Sequence, residues 1–263
     1  MGKKKILWII ILIVALACFL SCTGYFLMDY FYYKSMTNIP GAQGTTSNVS
    51  TSKKEVNVPV DFNKLKKVND DIYAWIRIPY ADKEDVYIVD YPILQSKEGE
   101  DRSYYLTHDV NRNKSSYAII RSAIYTQDYN SKDFNDFNTL IYGHNMKNGT
   151  MFGTLKKYRN KEFFETNREI EIYMPGRILK YKIFAAYVFD DRHIMLSFDF
   201  EEKMDREIYL DTVFSKRSLY NNFADDITVD TDDKIITLST CTNNDSERYL
   251  VQGVLVYDSD TDS

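Results

Sequence analysis

The sequence predicts a mainly β domain, a closed barrel with helical decorations, carried behind an N-terminal apolar segment. Three observations lead there. Many short runs rich in β-branched and aromatic residues are separated by turn residues. One pair of runs reads directly as a hairpin: Glu169-Ile-Glu-Ile-Tyr173 alternates, Met174-Pro-Gly-Arg177 turns, and Ile178 to Phe189 returns. A last pair, Lys234 to Thr242 and Tyr249 to Tyr257, brackets a short polar loop. With no repeat, Rossmann fingerprint or phosphate loop, many short strands and few helices point to a closed or nearly closed barrel.

The chain has 263 residues, 44% of them hydrophobic, and a net charge of −5. That balance gives no reason to expect nucleic acid as a partner. Its 22 tyrosines suit β structure and ligand grooves. Residues 1–5 form a basic tail with Lys3, Lys4 and Lys5, and residues 6–28 carry no charge. About 23 residues at ~1.5 Å each reach ~35 Å, enough to cross a bilayer, whereas a cleavable leader has an apolar region of ~7–15 residues. The expectation is a retained anchor with its lysines in the cytoplasm and the rest of the chain outside. Ala15-Leu-Ala17 leaves a cleaved leader as the alternative, and Phe19-Leu-Ser-Cys22 faintly resembles a lipoprotein processing site. Residues 29–60 read as an extracytoplasmic linker, with Gly41 to Ser52 a flexible stalk of Gly, Thr, Ser and Asn. Residues 61–263 then form one domain, large enough for its own core.

Taken in order, Asp61 caps a short amphipathic helix with Phe62, Leu65, Val68 and Ile72 inward and Lys64, Lys66 and Lys67 outward. Trp75-Ile-Arg-Ile-Pro79 begins the strands. Val86 to Val89 and Tyr91 to Leu94 read as two more, and Tyr117 to Ile120 and Ala123 to Tyr125 as candidates. Tyr104 to Asp109 precedes a polar turn, and Asp128 to Asn138 is a loop. Thr139 to His144 is a strand ending at a histidine, and Leu155, Tyr158 and Phe163 mark a helix-like stretch. Asp190 to about Asn222 is a charged insertion with a helix from Phe200 to Phe214, and Met204, Ile208 and Leu210 or Asp211 lie near its turn faces.

Chemistry concentrates in Lys234-Ile-Ile-Thr-Leu-Ser-Thr-Cys241-Thr242, a buried-strand composition that ends in a thiol. Cys18 and Cys22 lie in the apolar segment, so Cys241 has no disulfide partner in the outer domain. A thiol acts as thiolate, usually with a histidine beside it. Of the three histidines, His144 ends a strand beside a glycine. His108 fits a bond to a loop carbonyl, and His193 sits in the charged insertion, where solvation is expected. Arg248 is either a surface salt-bridge residue or a permanent cation beside the thiol, able to stabilise an oxyanion. One cysteine with scattered histidines is too thin for zinc. The pairs Glu201-Glu202, Asp225-Asp226 and Asp232-Asp233 read as solvated turns before a calcium site. No cofactor or metal is therefore implied.

Thr139-Leu-Ile-Tyr-Gly-His144-Asn-Met-Lys-Asn-Gly-Thr-Met-Phe-Gly153, with Thr237-Leu-Ser-Thr-Cys241 and Arg248, resembles the sortases, and the His box through Met-Phe-Gly resembles class B. Asp61-Phe-Asn-Lys-Leu, Trp75 to Pro79 and Tyr91-Pro-Ile-Leu-Gln95 resemble the same family, so the likeness runs from about residue 60 to 257. It implies a sortase-type barrel with an N-terminal helix and a helix-bearing insertion before the last two strands, on the outer face of a Gram-positive membrane. It implies that Cys241 is the nucleophile of a transpeptidase, His144 its acid and base, and Arg248 its oxyanion or orienting cation. Tyr142, Ser239 and Thr240 match positions that line the family's substrate groove. Thr242 stands where some relatives carry an acid. The implied partners are secreted proteins with a C-terminal sorting motif and a peptidoglycan-precursor amine. Alternatives are a pilin-polymerising enzyme that uses a lysine amine, a merely hydrolytic cysteine peptidase, and a non-catalytic domain that binds peptide or wall.

Overall fold

A computed structural model describes residues 2–37, 56–115 and 121–261. The chain divides into two units, the first ending near residue 39. That first unit is one helix, α1 (Lys3–Thr37), which continues past Met28 into the segment read as linker. Its stretch Trp8–Met28 is long and apolar enough to cross a bilayer, and none of it is buried in protein. Ser21 and Thr23 turn their hydroxyls back to the carbonyls of Ala17 and Phe19, 2.9 and 2.7 Å away, so neither interrupts the apolar surface. The expected stalk, Gly41 to Ser52, and the candidate strand Tyr117 to Ile120 lie outside the described residues.

The second unit is a barrel. Its strands are β1 (Ile72–Pro79), β2 (Tyr87–Leu94), β3 (Ile124–Thr126), β4 (Asn138–Tyr142), β5 (Glu169–Met174), β6 (Arg177–Asp190), β7 (Asn222–Phe223), β8 (Ile235–Cys241) and β9 (Glu247–Asp258). They run β5-β1-β2-β3-β4-β8-β9-β6, and a β5–β6 pairing closes the ring at eight strands, with β7 appended to β6. Closure removes the exposed edges that an open sheet would present. The expected hairpin is β5–β6, with Met174 paired to Arg177. Gly176 in its turn has φ +75°, a conformation that only glycine adopts without strain. Ile76, Ile172, Leu179, Ile236 and Val251 are fully buried in the core, and Trp75 is fully buried on the opposite face of β1 from Ile76.

Four local readings need correction. The two runs Val86 to Val89 and Tyr91 to Leu94 are one strand, because Asp90 is satisfied inside it by Trp75 Nε1 (2.7 Å) and Arg77 Nε (2.9 Å). Pro92 is tolerated there because pairing with β3 begins only at Ile93. The helix-like stretch after the His box is a 3-10 turn (Leu155–Arg159) followed by a short helix (Lys161–Thr166). The first helix of the domain (Phe62–Val68) stops before Ile72, which opens β1. The insertion helix, Lys203–Ser215, buries Tyr209, Leu210 and Val213, whereas Met204 and Ile208 are 71% and 49% exposed. Burial follows the side that meets the barrel rather than the count of apolar residues.

One buried polar network locks the strands that carry the candidate site. Thr237 of β8 donates to Asn138 of β4 (2.7 Å), and Gln252 of β9 donates to both Thr237 (2.8 Å) and Tyr209 of the insertion helix (2.7 Å). Tyr187 of β6 donates to Gln252 Oε1 at 3.0 Å. Every one of these five residues is fully buried. A one-residue slip of any strand would strand several polar groups, so the network fixes register as well as adding stability.

Candidate active site

The site arises from strand register. β4 and β8 run parallel as direct neighbours, with Tyr142 opposite Ser239. His144 and Cys241 each lie two residues beyond that pair. Parallel neighbours are ~4.8 Å apart, so equal overhangs bring the imidazole and thiol to the same end of the barrel, side by side. The ladder continues past the strand end: Gly143 N donates to Ser239 O (3.1 Å), Thr240 Oγ1 to Gly143 O (2.7 Å) and Asn145 Nδ2 to Cys241 O (2.9 Å). Cys241 is exposed and unbridged. Across the β8–β9 hairpin it pairs with Arg248, and antiparallel partners point to the same face. The loop between them is held by reciprocal Thr242–Asn244 bonds of 3.0 Å and by Glu247 N donating to Asn244 O (3.0 Å). Its shortness is what sets Arg248 opposite the thiol.

The histidine loop is shaped by close packing. A Cβ on Gly143 would lie 2.6 Å from the Phe152 ring, and one on Gly153 would lie 2.1 Å from the Met146 carbonyl oxygen. Phe152 N donates to His144 O (3.0 Å), folding the loop back on itself. Met151, with φ +54°, is held by a bond from its N–H to Tyr91 Oη (3.1 Å). His144 Nε2–H donates to the Leu106 carbonyl at 3.0 Å, which leaves Nδ1 as the nitrogen free to exchange a proton. Burial holds its pKa below the ordinary imidazole value, with the Leu106 bond opposing. Arg248 Nη1 donates to the carbonyls of Asp245 and Glu247, both at 2.8 Å. Among the described residues no carboxylate lies within ion-pair distance of it, so its charge stays available.

Strand alternation divides the surroundings into two cavities. On the face shared with Arg248, Tyr142, Ser239 and His193 line a recess of about 150 Å³. On the other side Thr240 and Tyr249, with His144 and Cys241 at the rim, border a cavity of about 390 Å³. Tyr142 and Ser239 line the same recess, whereas Thr240 faces the second cavity and spends its hydroxyl on the Gly143 carbonyl. Tyr142 stacks on Tyr125 at 5.3 Å, and burial raises its phenol pKa. His108 Nδ1–H donates to the Tyr104 carbonyl at 2.8 Å, a carbonyl of the short helix Tyr104–Thr107 rather than of a loop. His193, expected to be solvated, is half-buried: Nε2–H donates to Gln127 Oε1 at 2.8 Å and Nδ1 is buried without a partner. Sequence reasoning missed Asn145, the Leu106 carbonyl and the basic wall of the second cavity. Asn145 alone had a signal, its place beside His144. Among the described residues no cluster of His, Cys, Asp and Glu could hold a metal ion.

A strand-end thiol, an imidazole on the neighbouring parallel strand and an unneutralised arginine across the hairpin, on a closed barrel, define a β-barrel cysteine enzyme. The sortase-domain family model matches residues 76–256. Sortase B of Listeria monocytogenes is 36% identical over 215 residues, 80% of each chain. A Bacillus anthracis structure described as similar to sortase B aligns at TM-score 0.65 and 29% identity, covering 86% of this chain and 96% of its own. The Staphylococcus aureus sortase B–substrate complex aligns at TM-score 0.59 and 28% identity, covering 74% and 84%. The chain belongs to the sortase family, among the sortase B transpeptidases.

Proposed function

We propose that the protein is a membrane-anchored cysteine transpeptidase that cleaves a C-terminal sorting motif and transfers the acyl group to a cell-wall precursor amine. The reading rests above all on the equal overhang of β4 and β8, which pairs His144 with Cys241 while β9 supplies Arg248. Cys241 Sγ attacks the carbonyl carbon of the scissile bond, and Arg248 stabilises the resulting oxyanion. The C–N bond breaks as His144 gives a proton to the leaving amine, and a thioacyl enzyme remains. The acceptor amine then attacks the thioacyl carbon and loses its proton to His144. The C–S bond breaks, and Cys241 leaves as thiolate. Tyr142 and Ser239, beside Arg248, line the acyl-donor side. Residues 1–5 form a cytoplasmic tail, 6–28 the anchor, 29–60 the outer linker and 61–263 the catalytic domain.

The test uses the full chain in detergent beside Cys241→Ala, a panel of threonine-containing sorting peptides, and triglycine as amine. Mass spectrometry should show a thioacyl adduct on Cys241 and a peptide–triglycine product, both absent from the variant. Cleavage without amine capture would instead establish a hydrolase.

A further inference from the structure

The cavity of about 390 Å³ on the Thr240 side of Cys241 has a composition unlike the rest of this acidic protein. Lys147, Lys156 and Arg159 line it, and no Asp or Glu does. All three cations are exposed, and none has a salt-bridge partner among the described residues. Lys147 comes from the loop after His144, and Lys156 and Arg159 from the 3-10 turn, so two segments converge with one sign of charge. Tyr249 supplies a second, independent feature. It lines the cavity, is 2% exposed, and its hydroxyl is buried without a hydrogen-bond partner. The Arg159 guanidinium covers its ring at 5.1 Å. That contact places the Arg159 cation at the cavity wall.

We propose that this cavity receives the acceptor amine and selects acceptors bearing a carboxylate, which Lys147, Lys156 and Arg159 bind while the amine faces Cys241. The proposal rests on the transpeptidase reading for the role of the ligand, and its geometry is independent of that reading. The acyl donor occupies the recess beside Arg248, and the second substrate enters from the opposite side of the hairpin. Holding the anion fixes the amine near the thioacyl carbon, and clustered cations disfavour the protonated, unreactive amine there.

Protection of Cys241 from iodoacetamide measures occupancy without requiring acyl transfer. With the full chain in detergent, triglycine should protect about tenfold more strongly than triglycinamide, three exposed cations each contributing a fraction of a kcal/mol. High salt should erase most of that preference. Lys147→Gln/Lys156→Gln should reduce it severalfold, and Lys156→Glu/Arg159→Glu should reverse it. Equal protection by triglycine and triglycinamide, or a preference untouched by the charge variants, would overturn the proposal. Inorganic pyrophosphate protecting better than triglycine, with no triglycine preference, would also overturn it, assigning the cavity to the diphosphate of a carrier. A carboxylate preference in a chain that joins no peptide to triglycine would support the anion site and count against the transpeptidase reading alone.

Discussion

Replacing Gln252 with leucine tests whether the buried network sets the stability of the strands that bear the site. The leucine is nearly isosteric, so the cavity cost is small and the polar cost dominates. Tyr187 loses the acceptor 3.0 Å from its hydroxyl. Tyr209 and Thr237 each lose a donor, but Tyr209 keeps the bond from Asn138 Nδ2 (3.3 Å) and Thr237 keeps its bond to Asn138 Oδ1 (2.7 Å). A hydroxyl left without its acceptor costs about 1–3 kcal/mol, and the two other bonds about 0.5–1.5 kcal/mol each. The apolar leucine offsets part of this, leaving a net loss of about 2–4 kcal/mol. Urea unfolding of the full chain, followed by fluorescence of the fully buried Trp75, measures it. The double variant Gln252→Leu/Tyr187→Phe removes the stranded hydroxyl and should recover about 1–2 kcal/mol. A loss below about 1 kcal/mol, or strictly additive effects of the two substitutions, would refute the view that this network locks register.

His144 should titrate by NMR below the ordinary imidazole value of ~6.5, because burial disfavours its cation. Its folded pKa is depressed relative to the unfolded chain, so its contribution to stability is present above ~pH 6.5 and is lost as pH falls towards the folded value; a midpoint at or above ~6.5 would count against the buried imidazole. Arg248→Lys should lower kcat/KM by about 10²–10³ with little change in melting temperature, since a lysine cannot reproduce the fork anchored on the Asp245 and Glu247 carbonyls. Gly143→Ala should cost about 1–3 kcal/mol by pushing on the Phe152 ring. Gly153→Ala should cost more, because its Cβ meets backbone rather than a movable side chain. Thermal melts rank the two, and the reverse order would refute this account of the histidine loop.

The sequence by itself determined the elements whose cause is local. Alternation and a Pro-Gly turn defined the β5–β6 hairpin, an uncharged run defined the apolar helix, and the Asp61 cap marked the first helix of the domain. The lone outer cysteine, the strand-end histidine and the arginine of the last strand were legible as residue types suited to one chemistry. Only the tertiary structure decided that β4 and β8 are parallel neighbours in the Tyr142–Ser239 register. That pairing joins residues almost a hundred positions apart, and no local pattern encodes it. The unbroken β2 depended in the same way on Asp90 meeting Trp75 and Arg77, and the buried face of the insertion helix on which side met the barrel. Lys147, Lys156 and Arg159 read as ordinary surface charges along the chain. They form one cationic wall because the loop after His144 folds back beside the 3-10 turn, and charge acts through distance in space rather than along the sequence.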